Sequence, residues 1–142
     1  MEFGATHAIK ATDADVVKKV KAATGGRGVD YVFVTVGAIK AFETATDYLA
    51  PRGEVIMVGM PPSGQFASYE PVMITALSQS IKGSLMGETV LKRDIPWLIE
   101  QYKQGRLMLD ELISNRYSLD QINEAIVDTK AGKSRRNVII FD

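Results

Sequence analysis

The sequence has no cysteine, one histidine (His7) and no net charge: 17 lysines and arginines balance 17 aspartates and glutamates over 142 residues. Without cysteine there is no disulfide framework, iron–sulfur cluster, zinc finger or thiol nucleophile. One histidine cannot build a multi-histidine metal site, so no metal ligands are assigned. A Ser–His–acid triad would have to use His7, and no G-x-S-x-G elbow accompanies it. The balanced charge and a pI near 6.6 argue against nucleic acid as a partner. No apolar run reaches the ~18 residues of a membrane span, and no basic, apolar, then small-residue start marks a secretory signal. The expectation is a cytoplasmic chain with neither nucleic-acid nor membrane partners.

What is present suits a packed domain. Hydrophobic residues make up 46% of the chain. For this size the usual scaling gives roughly 7,200 Å² of folded surface, with about two-thirds of the unfolded surface buried. Short β-rich runs alternate with helical periods, the pattern of an α/β domain.

His7–Lys10 is a short strand candidate. A helix is expected over Thr12–Ala23, with Thr12 and Asp15 as a capping box and Gly25-Gly26 as its stop. Val29–Val36 (VDYVFVTV) is nearly continuous in apolar and β-branched residues, as in a strand buried on both faces. Gly37 follows it. A helix over Ile39–Ala50 is ended by Pro51. Glu54–Met60 is the next strand, with Gly59 near its end, and Ser80–Met86 is a further one. Asp94–Gln104 repeats apolar residues at helical spacing. Ser118–Gln121 forms a capping box before a helix that runs to about Lys130, buries Ile122, Ala125 and Ile126, and is closed by Gly132. Asn137–Phe141 is the last strand. Right-handed crossovers make the first strands parallel. Ligands of such sheets bind at the carboxyl ends of strands, where Gly37 and Gly59 would let a ligand approach the backbone.

Few residues suggest chemistry by themselves. The GGRG stretch at 25–28 follows a helix and precedes a strand, the reverse of a phosphate loop, and reads as a helix-ending turn. Asp110-Glu111 reads as a solvated turn. Arg135-Arg136 is either a pair of solvated charges or supplies a guanidinium clamp for phosphate.

The segments EFGATHAI (2–9), GGRGVDYVFVTVG (25–37), LAPRGEVIMVGMPP (49–62) and INEAIVDTKAGKSRRNVIIF (122–141) together resemble the C-terminal part of the zinc-dependent, medium-chain alcohol dehydrogenases, in collinear order over essentially the whole chain. The resemblance implies a partial Rossmann-like fold, doubly wound and mostly parallel. It implies one domain over 1–142, with a nucleotide-binding part at about 1–88 and a C-terminal segment at about 89–142. It implies NAD(P) contacts: Val36 and Gly37 beside the adenosine and ribose, and Val58, Gly59 and Met60 near the nicotinamide ribose and carboxamide. Ser84 and Met86 match the backbone that holds the carboxamide, and Arg136 matches an arginine that reaches the pyrophosphate.

The resemblance also says what is missing. The family's zinc ligands and proton relay lie in an N-terminal domain, so zinc is not expected here and no catalytic residue can be named. The G-x-G-x-x-G turn and the ribose-binding acid are absent too, which leaves NAD against NADP open and predicts weak or no cofactor binding. In the family order 3-2-1-4-5-6, His7–Lys10 matches the third strand and Val29–Val36 the fourth. The first two strands, which lie between them, are lacking. Val29–Val36 then has an unpaired edge, and Asn137–Phe141 lacks a partner that the family takes from its catalytic domain. The sheet is expected to be either rearranged or completed by a second chain. A homodimer is expected, through Ser80–Met86 or by completing the sheet.

The functional expectation is a truncated alcohol dehydrogenase-like oxidoreductase, the nucleotide-binding part, not competent alone. A small alcohol or aldehyde becomes a substrate only with a catalytic domain. The alternative is a non-catalytic α/β module that dimerises or pairs with a separate chain; a truncated product with no role of its own is a third possibility.

Overall fold

Valines and aromatics at 29–34 form the strand β1 (Val29–Val34), and the residues that follow wrap a helix onto it. The order in the computed structural model is α1 (Val16–Ala23), β1, α2 (Ile39–Ala45), β2 (Leu49–Met57), α3 (Pro71–Ala76), β3 (Ser80–Gly83), α4 (Leu91–Lys103), β4 (Ile113–Ser118), α5 (Ile122–Lys130) and β5 (Arg136–Ile140). Residues 2–141 are described. Two compact units divide the chain, Met1–Thr89 and Val90–Asp142.

In the first unit β1, β2 and β3 form a parallel sheet in that order. Val32 pairs with Val55 and Val55 with Ile81, which sets one apolar row across all three strands. That row faces α2. Val34, Phe42, Ala45, Leu49 and Val55 are buried together, with Val32, Ala41, Met57, Ala67 and Ile81 packed around them. α1 and α3 bury no residue. The accessible surface is 10,837 Å², well above the roughly 7,200 Å² expected for this mass.

Several expectations fail here for local reasons. Residues 7–10 form no strand. α1 starts at Val16 without a side-chain cap. Asp13 is instead engaged by Lys19 at 2.6 Å, and its N–H closes a turn onto the Lys10 carbonyl. α1 ends as expected: Gly26 N–H donates to Lys21 O at 2.7 Å and Gly25 N–H to Ala22 O at 3.3 Å, with both glycines at positive φ. This is the paired bonding of a Schellman motif, and it accounts for GGRG without a ligand. Pro51 does not stop a helix. α2 already ends at Ala45, and Pro51 lies inside β2 where the β1–β2 register slips. A proline is tolerated at such an irregularity, and the Arg52 N–H that follows donates to Leu77 O at 2.8 Å.

β1 is not buried on both faces. Alternation puts Val32 and Val34 toward α2 and Tyr31 and Phe33 on the opposite side, where they are 61% and 63% exposed. The sheet is not rearranged either: β1 remains at its edge, with β2 as its one partner.

In the second unit β5 pairs with β4 in parallel, Tyr117 opposite Ile139. This pairing with β4 was unseen in the sequence, which named only a family partner from the catalytic domain for the last strand. The Ser118–Gln121 capping box forms, the Ser118 N–H donating to Gln121 Oε1 at 3.1 Å. Of the three α5 residues expected inside, only Ala125 is buried; Ile122 and Ile126 are exposed. A polar clasp ties α5 to the strands. Asn137 Nδ2 donates to Asp128 Oδ2 at 2.8 Å and to the Ala125 carbonyl at 3.2 Å, and Asn115 Nδ2 reaches the same carboxylate at 3.2 Å.

At the carboxyl ends of β1 and β2 the two chains nearly touch. A Cβ at Gly59 would collide with the Val36 carbonyl oxygen, and one at Gly37 would lie 2.7 Å from Met60 O. A Cβ at Gly83 would meet nothing within 4 Å. Gly59→Ala therefore acts as overpacking and costs about 1–3 kcal/mol. Faster amide exchange in β1 and β2 is the measurement, with Gly83→Ala near wild type.

The clasp generates a pH dependence. Asn137, first, then Ser134, Asn115 and nearby Lys133 hold the Asp128 carboxyl below the usual carboxylate range. A carboxylate whose folded value is depressed stabilises above its unfolded value, and that stabilisation is lost as pH falls through the folded one. Asp128→Asn should flatten the decline in urea midpoint below about pH 4. Fluorescence of Trp97, on α4 of the same unit, reads it; an unchanged acid limb would count against the clasp.

Candidate functional site

Seven of the eight residues expected at the cofactor lie along one edge of the first unit, where the parallel strands end. The Val34 carbonyl accepts from Val58 N–H at 3.0 Å and from Gly59 N–H at 2.8 Å. The Met57 carbonyl accepts from Ser84 N–H at 2.9 Å. These bonds hold the segments after β1, β2 and β3 side by side, and the Gly37–Met60 and Gly59–Val36 approaches close the first two together. The glycines are required by backbone against backbone. The space at their α-carbons is filled by protein, not kept open for a ligand.

Side chains at this edge are apolar and unsheltered. Val36 and Val58 are exposed, Met60 is 84% exposed and Met86 79%. Met86, Gly87 and Glu88 share positive φ in a tight turn whose carbonyl at Met86 accepts the Thr89 hydroxyl at 2.5 Å. Glu88 reaches back to Lys82 at 3.2 Å. Arg136, the eighth residue, is the exposed first residue of β5 in the second unit. Its neighbour Asn137 is held by Asp128. Strand alternation therefore sets the Arg136 side chain on the face opposite the clasp.

Beside this edge runs a groove of about 560 Å³, lined by Val16, Val32, Val34, Val36, Lys40 and Tyr48 among others. Lys40 is its cation, in an ion pair with Glu43 at 3.8 Å. Neither the groove nor Lys40 was visible in the sequence, because both depend on how α1 and α2 flank β1. The residues present fit part of a dinucleotide. Val36 and Met60 offer flat apolar contact, but the nearby Val58 and Gly59 N–H groups are already spent on Val34. The sequence holds no G-x-G-x-x-G turn of the kind that receives a pyrophosphate.

His7 is exposed, with Nδ1 3.0 Å from Thr6 Oγ1. Asp110 accepts the Tyr102 hydroxyl at 2.5 Å on an exposed turn. Among the described residues no three histidine, cysteine or acidic side chains cluster to hold a metal, and no helix is long and apolar enough to cross a membrane.

The same fold recurs in known proteins. The chain is 32% identical over 143 aligned positions to the NDMA-dependent alcohol dehydrogenase of Amycolatopsis methanolica, covering 99% of this chain and 38% of that protein. Its fold matches the alcohol dehydrogenase zinc-binding domain protein of Burkholderia ambifaria at a TM-score of 0.91 and 33% identity, covering 99% of this chain and 38% of the other. A zinc-binding dehydrogenase from Sinorhizobium meliloti 1021, solved bound to NADP, matches at 0.84 and 25% identity, covering 99% and 40%. The chain thus spans about two-fifths of the length of the relatives it matches. Residues 1–104 match the family model described as zinc-binding dehydrogenase, and the chain belongs to that family.

Proposed function

We propose that this chain supplies the nicotinamide-side wall of a dinucleotide site in an alcohol-oxidising or aldehyde-reducing enzyme. The observation that carries this reading is the alignment of Val36, Gly37, Val58, Gly59, Met60, Ser84 and Met86 along one strand-end edge, in a fold shared with dehydrogenases. The cofactor is NAD(P). Val36 and Gly37 flank the adenosine ribose, the 58–60 segment flanks the nicotinamide ribose, and Ser84 and Met86 present backbone to the carboxamide. The hydride transfer itself is assigned to groups outside these residues, since the family resemblance carries no catalytic residue onto this sequence.

The 142 residues are therefore proposed to bind NAD(P) weakly and to turn over no alcohol by themselves. Titration of NAD(H) into the purified chain, followed by nucleotide fluorescence or calorimetry, should show weak or undetectable binding. A dissociation constant in the low micromolar range would contradict this, and robust alcohol oxidation with added zinc would contradict it more severely.

The alternative function, a pairing module, is favoured by the sheet's two open edges. β3 is the edge opposite β1, and exposed Leu85 and Met86 follow it. We propose a homodimer through 80–86. Sedimentation should give a dimer that Leu85→Lys, at an exposed residue just after β3, converts to monomer; a Leu85→Lys chain that stays dimeric would exclude this edge.

A further inference from the structure

The chain has no cysteine, so its oxidisable sulfur is all thioether. The described methionines, at 57, 60, 73, 86 and 108, differ widely in access. Met57, the last residue of β2, packs against the buried cluster. Met108 is half-buried and Met73 is 47% exposed. Met60 is the most open at 84%; Met86 approaches it but borders the contact proposed through 80–86. The backbone that carries Met60 is fixed. The N–H groups of Val58 and Gly59, just before it, are both bound to the Val34 carbonyl. Its own carbonyl oxygen lies against Gly37, and Pro61 and Pro62 follow it. A proline confines the residue before it to extended backbone. The sulfur is thus held out on a rigid strand end, on the same edge as exposed Val36 and Val58, and nothing in the first unit has to move for a small oxidant to reach it.

We propose that Met60 is an oxidation site through which a hydroperoxide controls the apolar wall of this edge. The proposal rests on the dinucleotide reading above, in which Met60 belongs to the nicotinamide side. A sulfur lone pair attacks one peroxide oxygen; the S–O bond forms as the O–O bond breaks. The proton of the transferred hydroxyl passes to the leaving oxygen, which departs as water when the oxidant is hydrogen peroxide. The thioether loses two electrons and the peroxide gains them. The product is a sulfoxide, polar and chiral where the thioether was apolar and adaptable. A planar ring laid over Val36, Val58 and Met60 would have to strip water from the new oxygen without offering it a donor. The neighbouring Val58 and Gly59 N–H groups are already spent on Val34. Covering an unpartnered polar group is unfavourable, so the oxidised edge holds the ring less well. The change is reversible, because sulfoxide reductases return the thioether. Met57, three residues earlier in the chain, has the same chemistry but is packed, and serves as an internal reference.

The test treats the purified 142-residue chain with hydrogen peroxide and follows the sulfoxide at each methionine by peptide mass spectrometry. Met60 should oxidise at least about tenfold faster than Met57; equal rates would overturn the proposal. Circular dichroism should be unchanged, because the sulfur is already in water. Saturation-transfer NMR with NAD+ in large excess then reads weak nucleotide contact. The nicotinamide signal should fall at least about threefold on oxidation and return after treatment with a methionine sulfoxide reductase and a thiol. In a Met60→Leu chain the signal, whatever its starting value, should not respond to peroxide. A signal indifferent to complete oxidation of Met60 would overturn the control while leaving the cofactor reading intact. So would an equal loss in the Met60→Leu chain, which would trace the effect to another methionine. No nicotinamide signal before oxidation would sink the cofactor reading and the control built on it, with the oxidation site itself still decided by the measured rates.

Discussion

One packed face organises the first unit. Val55, almost fully enclosed, sits at the centre of the row Val32–Val55–Ile81, and Phe42 and Ala45 of α2 close over it. Parallel strands cannot be joined by a tight turn, so α2 is both the connection and the cover. Its length is set by this double duty: Gly37 leaves β1, α2 spans seven residues, and Leu49 is already back in register opposite Val29. The other face of the same sheet has no comparable row. Tyr31, Phe33 and Ile56 face away from α2, beside Glu54 and Lys82. The burial that holds the unit together is thus one-sided, and the large accessible surface follows from it.

The strand-end edge inherits its shape from that packing. Because α2 pulls β1 and β2 into one layer, the segments leaving their carboxyl ends run close enough that Val36 meets Gly59 and Met60 meets Gly37. Glycine there is a steric requirement of the protein, independent of any bound molecule. A dinucleotide laid on this edge would find a surface already closed, with Val36 and Met60 exposed on it. Such a surface can orient a planar ring and exclude water from one side. It lacks the convergent N–H groups that hold a pyrophosphate, which is why the reading assigns this chain a wall of the site.

Legibility from sequence followed the range of the interactions involved. Local devices were readable: the glycine stop at 25–26 and the Ser118–Gln121 capping box need only neighbouring residues, and both form. The parallel pairing of β1 and β2 was readable from spacing and crossover handedness. Boundaries governed by distant contacts were not. β2 begins at Leu49 because Val29 pairs there, across an irregular stretch that admits Pro51. β4 (ISNRYS) alternates too weakly to announce itself, and exists because β5 lies beside it and the Asn137–Asp128–Asn115 clasp fastens both to α5. The site residues came from resemblance alone. No property of Val36, Val58 or Met60 taken singly distinguishes them from other strand-end hydrophobics.

The misreading of β1 is the most informative. VDYVFVTV was read as a strand buried on both faces because apolar residues occupy both parities, and the structure buries only one. The pattern is still physical information. Selection for solubility would put charges on a strand edge and polar residues on an open face, yet 31–34 holds two aromatics and two valines without a charge. Valine and phenylalanine at consecutive positions stabilise a strand only where each side meets something apolar. Half of that requirement is met by α2. The other half is unmet among the described residues: Tyr31 and Phe33 stand exposed on the face away from α2, so the apolar run records one-sided packing rather than burial on both faces.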